Sequence, residues 1–263
     1  MRHWRRERRM SQLVLAGEAG VTQRHVSFVE SGRANPSREM VLALARALDV
    51  PLRERNQMLL AAGYAPHYRE TGLDAEAMGH VRSAIARLLA HHEPYPAVVM
   101  DRHWNVLEVN PPAQAMFDFL LDGKHPEPAN IVRLTFTTLR PHVANFEELG
   151  EALIQRVHRE AVGGIPDPKT VALLDEVLSQ PGVPAAWRTP DFGRTPAPVI
   201  PLRFVKDGLD VSYFSLVTTV GTPQDVTLQE IRVESLFPAD DATAAQRYPV
   251  SSGGSPASRC SMM

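Results

Sequence analysis

A chain of 263 residues is long enough for two domains, since single domains cluster near about 100 to 150 residues. The formal net charge of −2 hides an uneven distribution: residues 1–69 carry 12 basic and 6 acidic side chains, whereas the remainder carries 16 basic and 24 acidic ones. A basic N-terminal segment has the sign needed to meet phosphate, and an acidic remainder would be repelled by it.

The composition excludes several classes of protein. Cys260 is the only cysteine and lies in a Ser/Gly/Pro-rich tail, so one chain cannot build a disulfide framework, a cysteine-based zinc site or a thiol active site. No apolar run approaches the roughly 18 residues of a membrane span, and the charged N-terminus does not resemble an export signal. We therefore expect a cytoplasmic protein without a membrane partner, and the use of 25 Arg against 3 Lys indicates a GC-rich bacterial genome.

Five short helices are predicted within residues 1–63, at 2–9, 12–19, 23–30, 38–48 and 52–62. Ser11, Thr22 and Ser37 stand where helix N-caps belong, and Gly20 and Gly32 stand where helices end. Five helices in this length leave no room for a sheet, so we expect an all-α N-terminal domain. Apolar residues at helical spacing form its candidate core: Leu13, Ala16, Val26, Val29, Val41, Leu44, Ala45, Leu48, Leu59 and Leu60.

A composition change at residues 64–73, with glycine, proline and several charges, predicts a linker. The apolar stripe of residues 74–92 then predicts a helix that either opens the second domain or joins a dimer interface.

The remaining chain mixes strand and helix patterns. A β-hairpin is predicted at 97–100 and 106–109, helices at 111–121, 131–136, 146–162 and 169–180, and strands at 199–205, 209–220 and 227–237. Residues 206–208 form the turn between the first two of these strands. We expect an α+β domain over 74–237 with a five-stranded antiparallel sheet and helices on one face, followed by a disordered tail at 238–263.

Residues 11–32 carry the most specific motif, SQLVLAGEAGVTQRHVSFVESG. Two helices that meet at a steep angle need a small residue at the close approach, a glycine at the turn and an apolar residue after it, and Ala16, Gly20 and Val21 meet these needs. With Ser-Gln at the start and Glu-x-Gly at the end, the stretch from about residue 4 to residue 50 resembles the Cro and xenobiotic-response-element (XRE) family of helix-turn-helix regulators.

This resemblance implies double-stranded DNA as partner, with the second motif helix in the major groove. Without the motif, the Gln-Arg-His run would be taken for a solvated helix face. The implied base contacts are Gln23, Arg24, Ser27 and Phe28. The implied phosphate contacts are Gln12, Arg33, Asn35 and Arg38.

Members of that family usually carry one more helical turn before the residue equivalent to Arg2. We therefore expect a clipped first helix and a marginally stable N-terminal domain.

From Tyr64 onward the chain is similar to MmyB-like transcription regulators, which join this motif to a PAS-like ligand-binding domain. The similarity lies in Tyr-Ala-Pro at 64–66, DRHWNVLEVN at 101–110, Pro-Leu-Arg at 201–203 and the segment 214–237. It implies a fatty-acid-like ligand between the sheet and the helices.

An acyl chain would need an apolar lining and one cation near its carboxylate. Arg156 is the preferred cation and Arg140 the second choice, although Arg156 could instead pair with Glu160 on the surface. Asn110 is a further candidate contact, with capping of the next helix as the alternative. The candidate lining residues, each of which could also be ordinary core, are Phe117, Phe119, Leu134, Phe136, Leu153, Tyr213 and Phe214.

The 10 histidines and the acidic pairs form no catalytic or metal-binding pattern in the sequence. His91 and His92 are adjacent, so on a helix they point about 100° apart and cannot share an ion as i,i+4 ligands do. The sequence has no Walker-type loop, nucleophile elbow, His-Glu-x-x-His or dinucleotide-binding glycine pattern. We therefore expect no enzymatic activity, no metal and no cofactor other than a bound fatty acid.

These observations predict a homodimeric DNA-binding regulator controlled by a small apolar ligand, since one small recognition helix needs doubled half-sites for specificity. Two alternatives remain: a regulator whose second domain serves only dimerisation or protein contact, and an enzyme with a DNA-binding appendage.

Overall fold

The computed structural model describes residues 1–162, 167–189, 199–246 and 248, and the chain divides into two compact units. The first unit contains Met1–Gly72 and, from far along the chain, Gly221–Gln229. The second unit begins with Leu73–Ala161 and includes the strands of the sheet. The segment 64–73, expected to be a linker, lies in the first unit as far as Gly72.

The N-terminal part of the first unit contains the helices α1 (Arg2–Glu7), α2 (Gln12–Ala19), α3 (Gln23–Glu30), α4 (Arg38–Ala47) and α5 (Leu52–Ala61). The side chains of Ser11, Thr22 and Ser37 accept hydrogen bonds from backbone N–H groups in the first turns of α2, α3 and α4. Each cap satisfies an N–H group that the helix itself leaves without a partner. The predicted all-α helix-turn-helix fold is confirmed.

The turn between α2 and α3 depends on Gly20. Its φ of +67° lies in the left-handed region, which glycine adopts without a Cβ clash. The turn closes with a hydrogen bond of 2.9 Å from the N–H of Val21 to the carbonyl oxygen of Ala16. This turn sets the direction in which α3 leaves α2.

The core of the first unit only partly matches the predicted set. Leu13 and Leu60, which share helical spacing with the core residues, are 65% and 50% exposed, and Val29 is half-buried. Trp4, Leu15 and Val50, which were not predicted, are buried. The core cluster consists of Trp4, Leu15, Ala16, Val26, Leu44, Ala45, Leu48 and Val50.

The second unit holds a five-stranded antiparallel sheet with helices, so the predicted α+β fold is confirmed. Its elements in chain order are α6 (Gly79–His91), β1 (Ala97–Met100), β2 (Val106–Val109), α7 (Pro111–Leu120), α8 (Ile131–Phe136), α9 (Phe146–Val162), α10 (Pro168–Leu178), β3 (Leu202–Lys206), β4 (Leu209–Thr219), β5 (Arg232–Pro238) and α12 (Asp241–Ala245). Helix α11 (Val226–Glu230) follows β4 in the chain, and its residues as far as Gln229 belong to the first unit. The strand order is β2-β1-β5-β4-β3. Both predicted hairpins pair as expected, β1 with β2 and β3 with β4.

The largest buried apolar cluster joins one face of the sheet to helices α7 to α10. Tyr213 of β4 lies in this cluster, whereas its strand neighbour Phe214 points to the opposite face because side chains alternate along a strand. Strand β1 is buried at all four positions, so it is covered on both faces.

Three segments differ from their predicted structure. The strand predicted at 199–205 begins at Leu202. Residues 226–230 form a helix, so the last strand starts at Arg232 rather than at Thr227. The tail predicted to be disordered starts with helix α12, capped by the side chain of Asp240, which accepts from the N–H of Thr243. Residues 249–263 lie outside the described residues, so their disorder remains a prediction.

Candidate functional site

Helix α3 presents a polar surface and is anchored by one apolar residue. Gln23, Arg24 and His25 are exposed, while Val26 is buried in the core of the first unit. Thr22 caps the helix through a hydrogen bond of 3.2 Å from the N–H of His25. The N-terminal turn of α3 therefore projects long polar side chains into solvent from a fixed backbone.

Two of the predicted base contacts lie against each other. The guanidinium carbon of Arg24 is 5.1 Å from the ring centroid of Phe28, one helical turn further on. A cation over an aromatic face is attracted by the ring quadrupole, which restricts the rotamers of the arginine. Ser27 lies between them in sequence and is half-buried.

The C-terminal end of α3 is held by an ion-pair network that the sequence did not reveal. Arg5 donates to both carboxylate oxygens of Glu30, at 2.8 and 2.9 Å, and Gln12 donates to the same carboxylate at 2.8 Å. The Glu30 side chain is only 1% exposed. The bond from Arg5 lowers the pKa of Glu30 and outweighs the opposing effect of burial, so this carboxylate is charged.

This network changes the expected role of Gln12. The sequence predicts that its side chain reaches a phosphate, but the side-chain nitrogen is bound to Glu30, and the same carboxylate ties α1 to the end of α3. Arg2 adds a further bond of 2.8 Å to the backbone carbonyl of Glu30. The side chain of Gln12 thus supports the orientation of α3.

The other predicted phosphate contacts follow α3. Arg33 and Asn35 are exposed, and the N–H of Arg33 bonds the carbonyl oxygen of Phe28 at 2.8 Å, which closes the end of the helix. Arg38 donates to Nδ1 of His67 at 2.9 Å. Arg33 and Asn35 are therefore positioned beside α3, whereas Arg38 already has a partner in the protein.

The segment Gly221–Gln229 is an unpredicted part of the first unit. The carboxylate of Asp225 accepts from the hydroxyl of Thr71 at 2.7 Å, and the N–H of Val226 bonds the carbonyl oxygen of Arg69 at 2.8 Å. Gln229 accepts from the N–H of Leu52 at 2.6 Å. Since this segment connects β4 to β5, the chain path of the sheet passes through the helical unit.

In the second unit, most predicted lining residues fall in one cluster. Phe117, Phe136 and Tyr213 are buried in it together with Leu134, and Leu153 packs against it, as does Phe119. Phe214 does not share this face and stacks on Phe237, with ring centroids 5.6 Å apart.

The two candidate cations have different surroundings. Arg140 donates to the carbonyl oxygens of Pro181 and Gly182 and lies over the ring of Phe146 at 4.4 Å, so its guanidinium holds a backbone turn. Arg156 lies 4.4 Å from the ring centroid of Trp104, with the carboxylate of Glu234 at 3.9 Å. The alternative partner Glu160 has a side chain outside the described part of the chain.

Asn110 has a structural role. Its oxygen accepts from the N–H groups of Ala97 and Ala113, and its nitrogen donates to the carbonyl oxygens of Leu89 and Tyr95. These four bonds cap α7 and join it to β1, so the side chain is engaged at both of its polar atoms. We assign Asn110 to the fold rather than to a ligand.

Trp104, in the turn between β1 and β2, has no predicted contact with a ligand, and from the sequence it is expected to pack in the turn. It is 2% exposed, and two guanidiniums approach its ring: that of Arg156, and that of Arg232 at 5.5 Å. The sequence offered one signal of its burial, since Trp104 is a large apolar residue in a turn that also contains the polar residues Asp101, Arg102 and Asn105.

A capped helical pair with an exposed second helix, joined to an α+β domain, defines a DNA-binding protein of the helix-turn-helix class. A helix-turn-helix family model matches residues 1–55, and the model of the MmyB-like transcription regulator ligand binding domain matches residues 81–247. The chain therefore belongs to the MmyB-like transcription regulators. A search of curated proteins found no match. Among the helices of the described residues, none has the length and apolar character needed to span a bilayer.

Proposed function

We propose that this regulator binds double-stranded DNA as a homodimer in the cytoplasm and that a small apolar ligand, such as a fatty acid, controls this binding from the second unit. The observation that carries the ligand part is the position of Arg156. Its guanidinium lies over Trp104, which belongs to the same buried apolar cluster as Phe117 and Phe136. A cation at the border of an apolar interior suits an acyl chain with a terminal carboxylate.

For DNA recognition, α3 enters the major groove with Gln23, Arg24, Ser27 and Phe28 at base edges. Arg24 makes two hydrogen bonds to a guanine, or Gln23 makes two to an adenine. Each such contact contributes about 1 to 3 kcal/mol of discrimination per base pair. Arg33 and Asn35 contact phosphates beside the groove, together with the N-terminal N–H groups of α2. The exposure of Gln23, Arg24, Arg33 and Asn35 and the fixed end of α3 support this proposal.

The small size of the recognition helix favours a homodimer. Helix α3 has eight residues, of which four are proposed base contacts. Such a helix specifies only a few base pairs. Known helix-turn-helix dimers double the number of specified base pairs by placing two recognition helices about one DNA turn apart. The operator is therefore expected to be a near-palindrome.

Control by ligand requires different affinity for two conformations of the chain. The segment Gly221–Gln229 supports such control, since it is bonded to α5 and to residues 69–71 and is also the direct connection of β4 to β5.

The experiment first selects binding sites for the full chain from random duplex DNA and then measures binding by fluorescence anisotropy with and without dodecanoate. The proposal predicts saturable dodecanoate binding and a changed operator affinity. Dodecanoate binding without any change in operator affinity, or no binding at all, would contradict ligand control.

One observation favours a second candidate, in which the second unit serves only dimerisation or protein contact. The aromatic residues of its cluster pack against one another, with ring centroids of Phe136 and Phe146 5.3 Å apart and those of Phe136 and Trp187 6.3 Å apart. Native-state mass spectrometry after lipid extraction separates the two candidates. A dimer that takes up no dodecanoate supports the second one.

A further inference from the structure

The sheet of the second unit has one open edge, formed by residues 214–219 in the second half of β4. Strand β3 pairs with β4 only between the pair Lys206–Leu209 and the pair Leu202–Tyr213. Strand β4 continues to Thr219, and β5 pairs with it along this whole second half. On the side where β3 has ended, no residue of the described chain pairs with residues 214–219.

The two outer strands of the same sheet have loop residues bonded to their edges. On β2, the N–H of Val106 donates to the carbonyl oxygen of Ala129 at 2.8 Å. On β3, the carbonyl oxygen of Arg203 accepts from the N–H of Ala144 at 2.9 Å, and its N–H donates to the side-chain oxygen of Asn145 at 3.3 Å. Proteins usually cover their sheet edges in this way, because unpaired backbone groups at an edge bind other strands.

The backbone of the open edge presents hydrogen-bonding groups at every second residue. The carbonyl oxygen of Ser212 accepts from the N–H of Ala239, the residue after β5, so the backbone groups of Ser212 face β5. This direction alternates along an antiparallel strand, so the N–H and C=O groups of Ser215, Val217 and Thr219 face the open side. Within the described ranges, nothing bonds them there.

The side chains of the open edge are uncharged and partly apolar. Leu216 and Val217 are 54% and 41% exposed, and Thr218 and Thr219 are also exposed. The sequence of residues 214–220 is FSLVTTV, without a charge that would repel a second copy or select a charged partner. An uncharged edge with exposed leucine and valine is the kind of edge that accepts another strand.

We propose that the open edges of two copies of this chain pair as antiparallel strands around a two-fold axis and join the two sheets into one. Val217 then lies opposite Val217 of the partner subunit, and Ser215 lies opposite Thr219 of the partner subunit. Three such pairs each exchange two backbone hydrogen bonds, about six in all. The same strand serves both copies, as a two-fold interface requires. This inference rests on the homodimer of the proposed function and adds its interface.

The test measures the dimer dissociation constant of the full chain by sedimentation equilibrium without DNA. V217K and V217E each place two like charges opposite one another at the two-fold axis. V171K is the matched control, because Val171 is also 41% exposed but lies on helix α10, away from the sheet edge. Circular dichroism checks that each variant is folded.

V217K and V217E are each expected to raise the dissociation constant at least about tenfold, because like charges that face one another oppose association. An equimolar mixture of the two is expected to dimerise more tightly than either variant alone, since opposite charges then meet. V171K keeps the dissociation constant of wild type. V217K that dimerises like wild type, or a mixture that dimerises no more tightly than the single variants, would overturn the inference and leave a homodimer with another interface standing.

Amide hydrogen exchange of wild type tests the same interface without a substitution. The N–H of Val217 is expected to exchange more slowly at protein concentrations at which the dimer predominates than at those at which the monomer predominates. Equal exchange rates in a chain that does dimerise would overturn the inference. A wild-type chain that stays monomeric at all concentrations would contradict the homodimer of the proposed function, and the inference would fail with it.

Discussion

The side-chain oxygen of Gln229 accepts a hydrogen bond of 2.6 Å from the backbone N–H of Leu52, a residue 177 positions earlier in the chain. Leu52 is the first residue of α5, and the residue before it, Pro51, has no side chain that can cap the helix. Gln229 therefore performs a task that a neighbouring Ser or Thr performs in α2, α3 and α4. The last helix of the DNA-binding unit is completed from the segment between β4 and β5.

The first prediction concerns this cap. Gln229→Ala removes the acceptor and is expected to lower the free energy of unfolding of the first unit by about 1 kcal/mol, the usual cost of losing a helix cap. Urea unfolding followed by circular dichroism measures the change. Gln57→Ala is the matched control, because Gln57 is exposed on the same helix and alanine suits a helix interior. Equal stability of the two variants would refute the role of Gln229.

The second prediction concerns the buried ion pair of α1 and α3. Glu30→Gln leaves Arg5, whose side chain is 15% exposed, without its charged partner and is expected to cost about 3 kcal/mol. Glu70→Gln is the control, because the Glu70 side chain that pairs with Arg53 is 56% exposed and such pairs contribute less than about 1 kcal/mol. Chemical unfolding measures the loss in free energy of unfolding for each variant. A loss at Glu30 no larger than the loss at Glu70 would contradict the buried pair.

The third prediction follows from the pKa of Glu30. Its hydrogen bond from Arg5 lowers the pKa below the ordinary value of 4.5, so the folded state binds the proton less well than the unfolded state. The stabilisation is therefore fully present above pH of about 4.5 and is lost as the pH falls through the lowered pKa. Unfolding of wild type and Glu30→Gln between pH 7 and pH 3 should show a stability difference that shrinks in acid. A difference that stays constant over this range would count against the assigned pKa.

Local signals predicted the elements that depend on neighbours in sequence. Ser11, Thr22 and Gly20 fixed the ends of α2 and α3, because capping and left-handed turns involve residues only a few positions apart. Alternation of apolar residues predicted the two hairpins, because the paired strands of a hairpin are close in sequence. The strand prediction was wrong over 227–230, because these residues belong to a helix that begins at Val226.

The features that the sequence did not predict join distant residues. Glu30 lies 25 positions from Arg5, and Arg156 lies 52 positions from Trp104. Helix and strand periodicity relates only residues close in sequence, so it predicts neither contact. Phe214 was assigned to the lining by its residue type, but its place on β4 gives it the face opposite to Tyr213. Residue type predicted the chemistry of the candidate sites, and only the fold decided which side chains meet.

The fourth prediction concerns Arg24. The variant Arg24→Ala is expected to keep the melting temperature, because the side chain is exposed, and to lose about 1 to 3 kcal/mol of discrimination at one base pair in each half-site. Arg33→Ala is the control and should weaken binding to all sequences alike, with a smaller salt dependence.

The most direct test of DNA reading by α3 is the selection of binding sites from random duplex DNA by wild type and by Arg24→Ala. The account predicts a near-palindromic site for wild type and a relaxed preference at one symmetric position for the variant. Identical selected sites for the two proteins, or no selected site for wild type, would contradict it.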